Sequence, residues 1–400
     1  MKPIVFLVVA LISVPAVVCS QASSPDQPGK SEPSNQQAQA FVVESLHTAV
    51  RFENDGTGRR ETTSTIHILS EAAVSNLELL TFGYSTASED LSFPYVRVKK
   101  PDGTVILTPP DNVQDTTAEI TREAPMFSDY HEKHVTVRGL AVGDRLEYDA
   151  GARVHDPLVP GQFWTNYIFD RTNTVLDEEL EVNLPEARNA TVKSIDVQPA
   201  VKDQDGRRIC LWKTWHQATP ADQASFEEKP LPVQISTFKS WDGLGQWWGA
   251  LEDERALLTP ELRAKAADLT KNAKTDREKV QALYNYVALN FRYVGISFGL
   301  GRVQPHAADD VFQNGYGDCK DKHTLLATLL KAVGIQPESV LINSSLKLDP
   351  DVPSPGQFDH VITRVPLADG PIWLDTTTEV APFGYLTFNL RDKQTLGAAG

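Results

Sequence analysis

The chain has 400 residues, 41% hydrophobic and 23% charged, with 38 Lys and Arg against 53 Asp and Glu for a formal net charge of −15. This is globular composition, long enough for two or three domains, and it excludes a disordered or fibrous chain. An acidic chain without cationic blocks is a poor nucleic-acid binder, and three cysteines (Cys19, Cys210 and Cys319) are too few for a disulfide framework or a four-thiolate zinc site.

Met1-Lys2 gives a positive start, Ile4 to Val18 is nearly all apolar, and compact residues precede Gln21. This is the form of a secretory signal peptide over 1–20, cleaved after Ser20. About fifteen apolar residues fall short of the ~20 that span a bilayer, so the mature chain is expected to be periplasmic or secreted, with no membrane span after cleavage. Acylation of Cys19 as a lipoprotein is the weaker alternative, because two bulky valines precede it. Gln21 to Gln39 is rich in Ser, Pro, Gln and Asn and reads as a flexible linker.

From Phe41 the pattern turns to period-two alternation broken by turn residues. Phe41 to Phe52 and Glu61 to Leu69 flank Asn54-Asp55-Gly56 as a hairpin. Val96-Arg97-Val98 and Thr104-Val105-Ile106 flank Pro101-Asp102-Gly103. His134 to Val137 and Arg145 to Tyr148 flank Gly139 to Asp144, and Glu179 to Leu184 is a further strand ended by Pro185. Together with 26 Pro and 24 Gly, these predict an antiparallel, sandwich-like β domain over 40–235. His131-Glu132-Lys133-His134 has its histidines three apart in strand-like sequence, not four apart on a helix, and reads as surface rather than as a zinc motif. Trp212, Trp215, Trp241, Trp247 and Trp248 are expected in core or inter-domain packing.

Composition changes near Gly245, within a connecting segment placed at 236–265. Thr259-Pro260-Glu261 and the capping box Thr275-Asp276-Arg277-Glu278 start two helices. The second carries Val280, Leu283, Tyr284, Val287 and Phe291 as an apolar stripe. Asp318 is a good N-cap with Asp321 three residues on, Leu325, Leu326, Leu329, Leu330 and Val333 form a stripe, and Gly334 is a natural stop. Cys319 is then the first residue of a largely buried helix, where unpaired amides and the helix dipole favour a thiolate by about 0.3–1 kcal/mol. A thiol nucleophile needs a base and an orienting group. Two strands downstream supply candidates: Phe358 to Ile362 carries His360, and Pro371 to Asp375 carries Asp375. A turn at Pro366 to Gly370 would make them near-opposite neighbours on one sheet face. A lone Cys is more often plain packing; it is the order Cys, His, Asp that argues for catalysis.

Tyr293-Val294-Gly295, Gln304-Pro305, Gly317-Asp318-Cys319-Lys320-Asp321-Lys322, Leu329 to Ile335, Asp359-His360-Val361 and Trp373-Leu374-Asp375 together resemble the bacterial transglutaminase-like superfamily. The resemblance implies a papain-like α+β core, placed at 266–390 with a tail at 391–400, in which Cys319 is the nucleophile, His360 the base and Asp375 the orienting acid. Phe127-Ser128-Asp129-Tyr130 and Gly143 to Tyr148 resemble the β-rich domain of unknown function that often precedes such cores in exported bacterial proteins. The papain-like spacing makes Gln313 a weak oxyanion candidate, with Tyr316 and Trp241 weaker still. No calcium loop is visible, so no metal or cofactor is implied. Proteins of this arrangement commonly continue into another β domain, whereas this sequence ends 25 residues past Asp375, which leaves a fragment and a short form both open. The expected function is an exported cysteine-dependent acyl-transfer enzyme (protease, amidase or transglutaminase) acting on a peptide or protein of the cell envelope. A non-catalytic envelope scaffold is the alternative. Cys210 is expected in a strand, far from Cys319.

Overall fold

The computed structural model describes residues 39–219, 230–295, 303–378 and 381–398. The expected signal peptide, Cys19 and all but the last residue of the linker lie outside them.

The first half is built on an eight-stranded sheet in the order Ala200–Gln204, Arg207–His216, Val175–Pro185, Phe41–Phe52, Gly58–Ile68, Arg145–Val154, Glu89–Lys99, Val105–Leu107. Two of the three expected strand pairings across a turn form, those around Asn54-Asp55-Gly56 and Pro101-Asp102-Gly103. Gly56 takes φ +93° while the Asp55 carboxylate accepts from the Thr57 amide at 2.9 Å, the local bonding that lets an Asp-Gly pair reverse a chain. One pairing departs from the antiparallel expectation: Phe41–Phe52 runs parallel to Val175–Pro185, which becomes possible because more than a hundred residues separate them and no tight turn dictates direction.

A second correction concerns His134 to Val137 and Arg145 to Tyr148, which do not pair with each other. Tyr130–Thr136 joins Leu79–Ser85 and Val113–Thr117 in a separate three-stranded sheet, while Arg145–Val154 enters the large one. Both put apolar residues into one core, Val135 and Val137 from one layer and Leu146 and Tyr148 from the other. A third sheet, Thr191–Ser194, Val233–Ser236 and Trp164–Tyr167, covers the other end of the large sheet over Leu180, Val182, Cys210 and Trp212. Cys210 is therefore a buried strand residue, and both it and Cys319 are free thiols. Trp212 is core as expected, but Trp215 is 67% exposed.

The second half holds helices Trp241–Asp253, Pro260–Thr270, Asp276–Asn290, Ala308–Asn314 and Cys319–Ala332, with an antiparallel sheet in the order Ile372–Leu374, His360–Val365, Glu338–Ile342, Thr395–Gly397. The predicted caps are present: Thr259, the Thr275–Glu278 box and the Asp318–Asp321 box. Gly334 takes φ +82°, and the Ile335 amide donates back to Leu330 O at 3.0 Å, closing the last turn of the cysteine helix. That helix lies between the other helices and the sheet, with Leu325, Leu326, Leu329 and Leu330 fully buried. Each such side chain stabilises by about 1.5–3 kcal/mol. The 236–265 segment does more than connect, since Leu244 and Trp248 of its helix pack on Leu341, Val361 and Leu396. Nor is 391–400 a tail, because Thr395–Gly397 is the edge strand of the core sheet.

Candidate active site

The turn leading into the cysteine is specified residue by residue. Gly315 adopts φ +74° and ends the preceding helix. Tyr316–Gly317 then pairs in parallel with Arg292–Tyr293. A Cβ on Gly317 would sit 2.6 Å from Asp321 Cβ, so only glycine lets the chain pass this close to its own helix. Asp318 accepts from the Asp321 amide at 3.1 Å and Asp321 accepts from the Asp318 amide at 3.2 Å. Asp318 and Asp321 are thus the caps that the sequence predicts, and Cys319 opens the helix where amides point outward.

The structure brings Cys319, His360 and Asp375 together. His360 Nε2 lies 3.3 Å from Asp375 Oδ2, and the imidazole also contacts the Cys319 thiol. The sheet register pairs Thr363 with Leu374, so Asp375, one residue further, stands beside Ile362 and diagonal to His360 on the same face. His360 and Asp375 are thus near-opposite neighbours, two residues out of direct register. Asp375 is held in turn: its Oδ1 accepts from the Thr377 amide at 2.9 Å and the Thr377 hydroxyl at 2.7 Å, and its carbonyl accepts from Tyr284 at 3.0 Å.

Burial alone would drive His360 toward its neutral form, but hydrogen bonds with Asp375 and Cys319 outweigh this and raise it well above the ordinary imidazole value. Burial likewise works to raise Asp375, while bonds from His360 and Thr377 hold it below the usual carboxylate range. The site therefore favours an imidazolium beside the sulfur, fixed by a carboxylate.

Cys319 and His360 open into a cleft of about 100 Å³ walled by Trp164, Trp247, Trp248, Tyr293 and Phe358. Trp164 comes from the β half, so both halves build the wall. Tyr293 was missed in the sequence as a site residue. Its position two-stranded against Gly317, just before the thiol, brings its ring into the cleft. Burial and then the nearby Cys319 and Asp318 push its phenol far up, keeping it a hydrogen-bond donor. The Tyr-Val-Gly motif was the available signal, but only the strand pairing gives the tyrosine a task. Gln313 is corrected: its amide donates to Glu261 at 2.9 Å on the exposed face of the Ala308–Asn314 helix, and it does not line the cleft. Trp241 donates its indole N–H to Pro350 O at 2.8 Å and has none left for an oxyanion, and Tyr316, whose hydroxyl accepts from the Met126 amide at 2.9 Å, does not line the cleft.

Beside the helix cap, His306 has acceptors at both ring nitrogens, Asp321 Oδ2 at 3.1 Å from Nδ1 and Met126 O at 3.1 Å from Nε2. Only the imidazolium donates at both. Through it the β half grips the residue that caps the cysteine helix. A larger groove of about 180 Å³ in the β half shares Trp164 with the cleft but contains none of the three candidate catalytic groups. Among the described residues one group, His47, Asp177 and Glu179, is spaced to converge on a metal ion, but it lies toward the surface and Glu179 is already paired with Lys213.

Family comparison gives the same division of the chain. The profile of the domain of unknown function DUF3857 matches residues 54–220, and that of the transglutaminase-like superfamily matches 263–349. The chain carries a transglutaminase-like domain behind a DUF3857 domain. The crystal structure of a candidate protease from Parabacteroides distasonis superposes with a TM-score of 0.76 at 18% identity, covering 90% of this chain and 70% of that one. An M1 zinc metallopeptidase from Deinococcus radiodurans reaches a TM-score of 0.27 at 10% identity, over 49% of this chain and 42% of that one. Legionella pneumophila aminopeptidase A reaches 0.28 at 6% identity, over 50% and 22%. Scores this low establish no common fold. No curated protein matches the chain.

Proposed function

We propose that this transglutaminase-like chain is an exported cysteine-dependent acyl-transfer enzyme acting on peptide or amide bonds in the cell envelope. The observation that carries this reading is the His360 imidazole seated between the Cys319 thiol and the Asp375 carboxylate, with Nε2 3.3 Å from Asp375. The fold shared with a candidate protease fits it.

In this reading the Cys319 thiolate attacks the carbonyl carbon, and the oxygen takes up the electron pair as an oxyanion. The Cys319 backbone amide at the helix start and the Tyr293 hydroxyl are the donors for that oxygen. Collapse expels the amine, which takes a proton from the His360 imidazolium and leaves a thioester on sulfur. His360 then deprotonates the second nucleophile: water regenerates the thiol with a carboxylic acid, an amine regenerates it with a new amide. Asp375 fixes the imidazole throughout.

The test is labelling with a thiol-directed acyl electrophile. Wild-type protein is expected to be modified at Cys319 and Cys319→Ala left unmodified. Equal labelling of the variant would move the chemistry elsewhere and leave a scaffold.

A further inference from the structure

One turn behind the thiol, the cysteine helix carries a polar cluster that the acyl-transfer steps do not use. His323, four residues after Cys319, is 3% exposed, and its Nδ1 lies 2.6 Å from the Thr363 hydroxyl. Thr363 is 1% exposed and sits three residues after His360 on the same strand. The Nε2 side of His323 faces Glu252 Oε1 at 3.6 Å. Glu252 accepts from the Ser339 hydroxyl at 2.7 Å, and Ser339 accepts from the Trp248 indole at 3.0 Å. Ser339 stands directly opposite Thr363 in the sheet. These side chains therefore join the helix of Cys319, the strand of His360, the neighbouring strand and the cleft-wall helix.

We infer that His323 is a positioning residue for the Cys319–His360 pair, locking the helix that bears the sulfur to the strand that bears the imidazole. The inference rests on the acyl-transfer reading of those two groups. The helix–sheet interface is otherwise apolar along this face, Val361 and Val365 flanking Thr363. An apolar interface holds two elements together without fixing how far one slides along the other, because dispersion and burial are not directional. A buried hydrogen bond is directional, and losing it strands a polar group without water, so it penalises a slip that leucines would tolerate. A slip matters here because a displacement of about 1 Å at a reacting pair costs on the order of 100-fold in rate. Burial also keeps both members uncharged, Glu252 raised to about 8 and His323 lowered to about 3, so the lock is held by hydrogen bonding rather than by a salt bridge.

The test uses His323→Leu, which keeps volume but not the bond, Thr363→Val, which removes the partner and keeps the imidazole, and His323→Asn, whose amide sits near the Nδ1 position. Each is followed by acylation rate at Cys319, by alkylation rate with iodoacetamide across pH, and by thermal denaturation. His323→Leu and Thr363→Val are expected to lower acylation by about 10–100-fold and to displace the alkylation profile along pH while unfolding cooperatively. His323→Asn is expected to recover most of the rate. If His323→Leu fails to fold, Thr363→Val decides. Folded variants with wild-type acylation and an unmoved profile would overturn the positioning role. Wild-type protein in which Cys319 does not react at all would instead overturn the catalytic reading beneath it.

Discussion

The β half and the transglutaminase-like half treat charge in opposite ways. In the β half most ion pairs lie toward solvent, as with Arg97 on Glu147 and Arg145 on Glu44, whose side chains are 16–40% exposed, although Lys100 pairs with the buried Asp144. In the core, Asp318, Lys320, Asp321, Lys322 and His323 are consecutive apart from Cys319 and each is 3% exposed or less. Lys320 pairs with Asp318, and Lys322 donates to Phe291 O at 2.6 Å. A partly exposed pair is screened and mobile and fixes little. A buried charge must be matched in direction as well as sign, so it fixes its neighbours or costs several kcal/mol. The polar groups that orient the candidate chemistry are found where the chain could least afford to leave them unmatched.

The comparison can be broken or sharpened by substitution. The largest effect is expected from Asp375→Asn, which removes the charge that holds His360 raised. Burial then acts unopposed by a carboxylate, the imidazolium is lost at lower pH, and the alkaline limb of acyl transfer moves down in pH with a rate loss of about 10²–10⁴. Next is Asp321→Ala, which leaves the His306 imidazolium and the Asp318 amide without their acceptor and should cost about 3–5 kcal/mol in urea denaturation.

Glu252 and His323 give a smaller, pH-shaped effect. Between about pH 4.5 and 6.5 the folded pair holds one proton, on Glu252, and the unfolded pair also holds one, on His323, so their contribution is flat. Above 6.5 the unfolded pair loses that proton while Glu252 keeps its own up to about 8, so stability falls by about 2 kcal/mol as pH rises. Below 4.5 the unfolded pair takes a second proton that buried His323 refuses until about 3, so stability falls again with acid. Glu252→Gln should flatten the denaturation midpoint between pH 6.5 and 8 and, with Glu252's proton no longer offsetting the one His323 refuses, start the acid decline near pH 6.5 instead of 4.5. The smallest effect is expected from Arg97→Ala in the β half, about 0.2–1 kcal/mol and reduced by salt. If it cost as much as Asp321→Ala, the contrast between the halves would fail.

Local chemistry was legible in the sequence. The Thr259, Thr275 and Asp318 caps and the turns at Gly56 and Gly334 each depend on a few neighbouring residues, and each stands where the sequence puts it. What depends on distant partners was not legible. The parallel pairing of Phe41–Phe52, the separation of Tyr130–Thr136 from Arg145–Val154, and the recruitment of Thr395–Gly397 into the core sheet are decided by which apolar faces meet. Apolar spacing also cannot reveal that Lys322 is as buried as the leucines, since its partner, Phe291 O, comes from another segment. Gln313 shows the reverse error: its spacing from the thiol fits, but the helix it sits on turns it toward Glu261.

The account rests on Cys319 carrying an acyl group, and the direct measurement is peptide mass spectrometry after brief reaction with p-nitrophenyl acetate and an acid quench. The predicted result is an acetyl adduct on the Cys319 peptide that hydroxylamine releases, as it does a thioester, absent in Cys319→Ala and strongly reduced in Asp375→Asn. An adduct that maps to another residue, or one at Cys319 that forms equally well without His360 and Asp375, would contradict it.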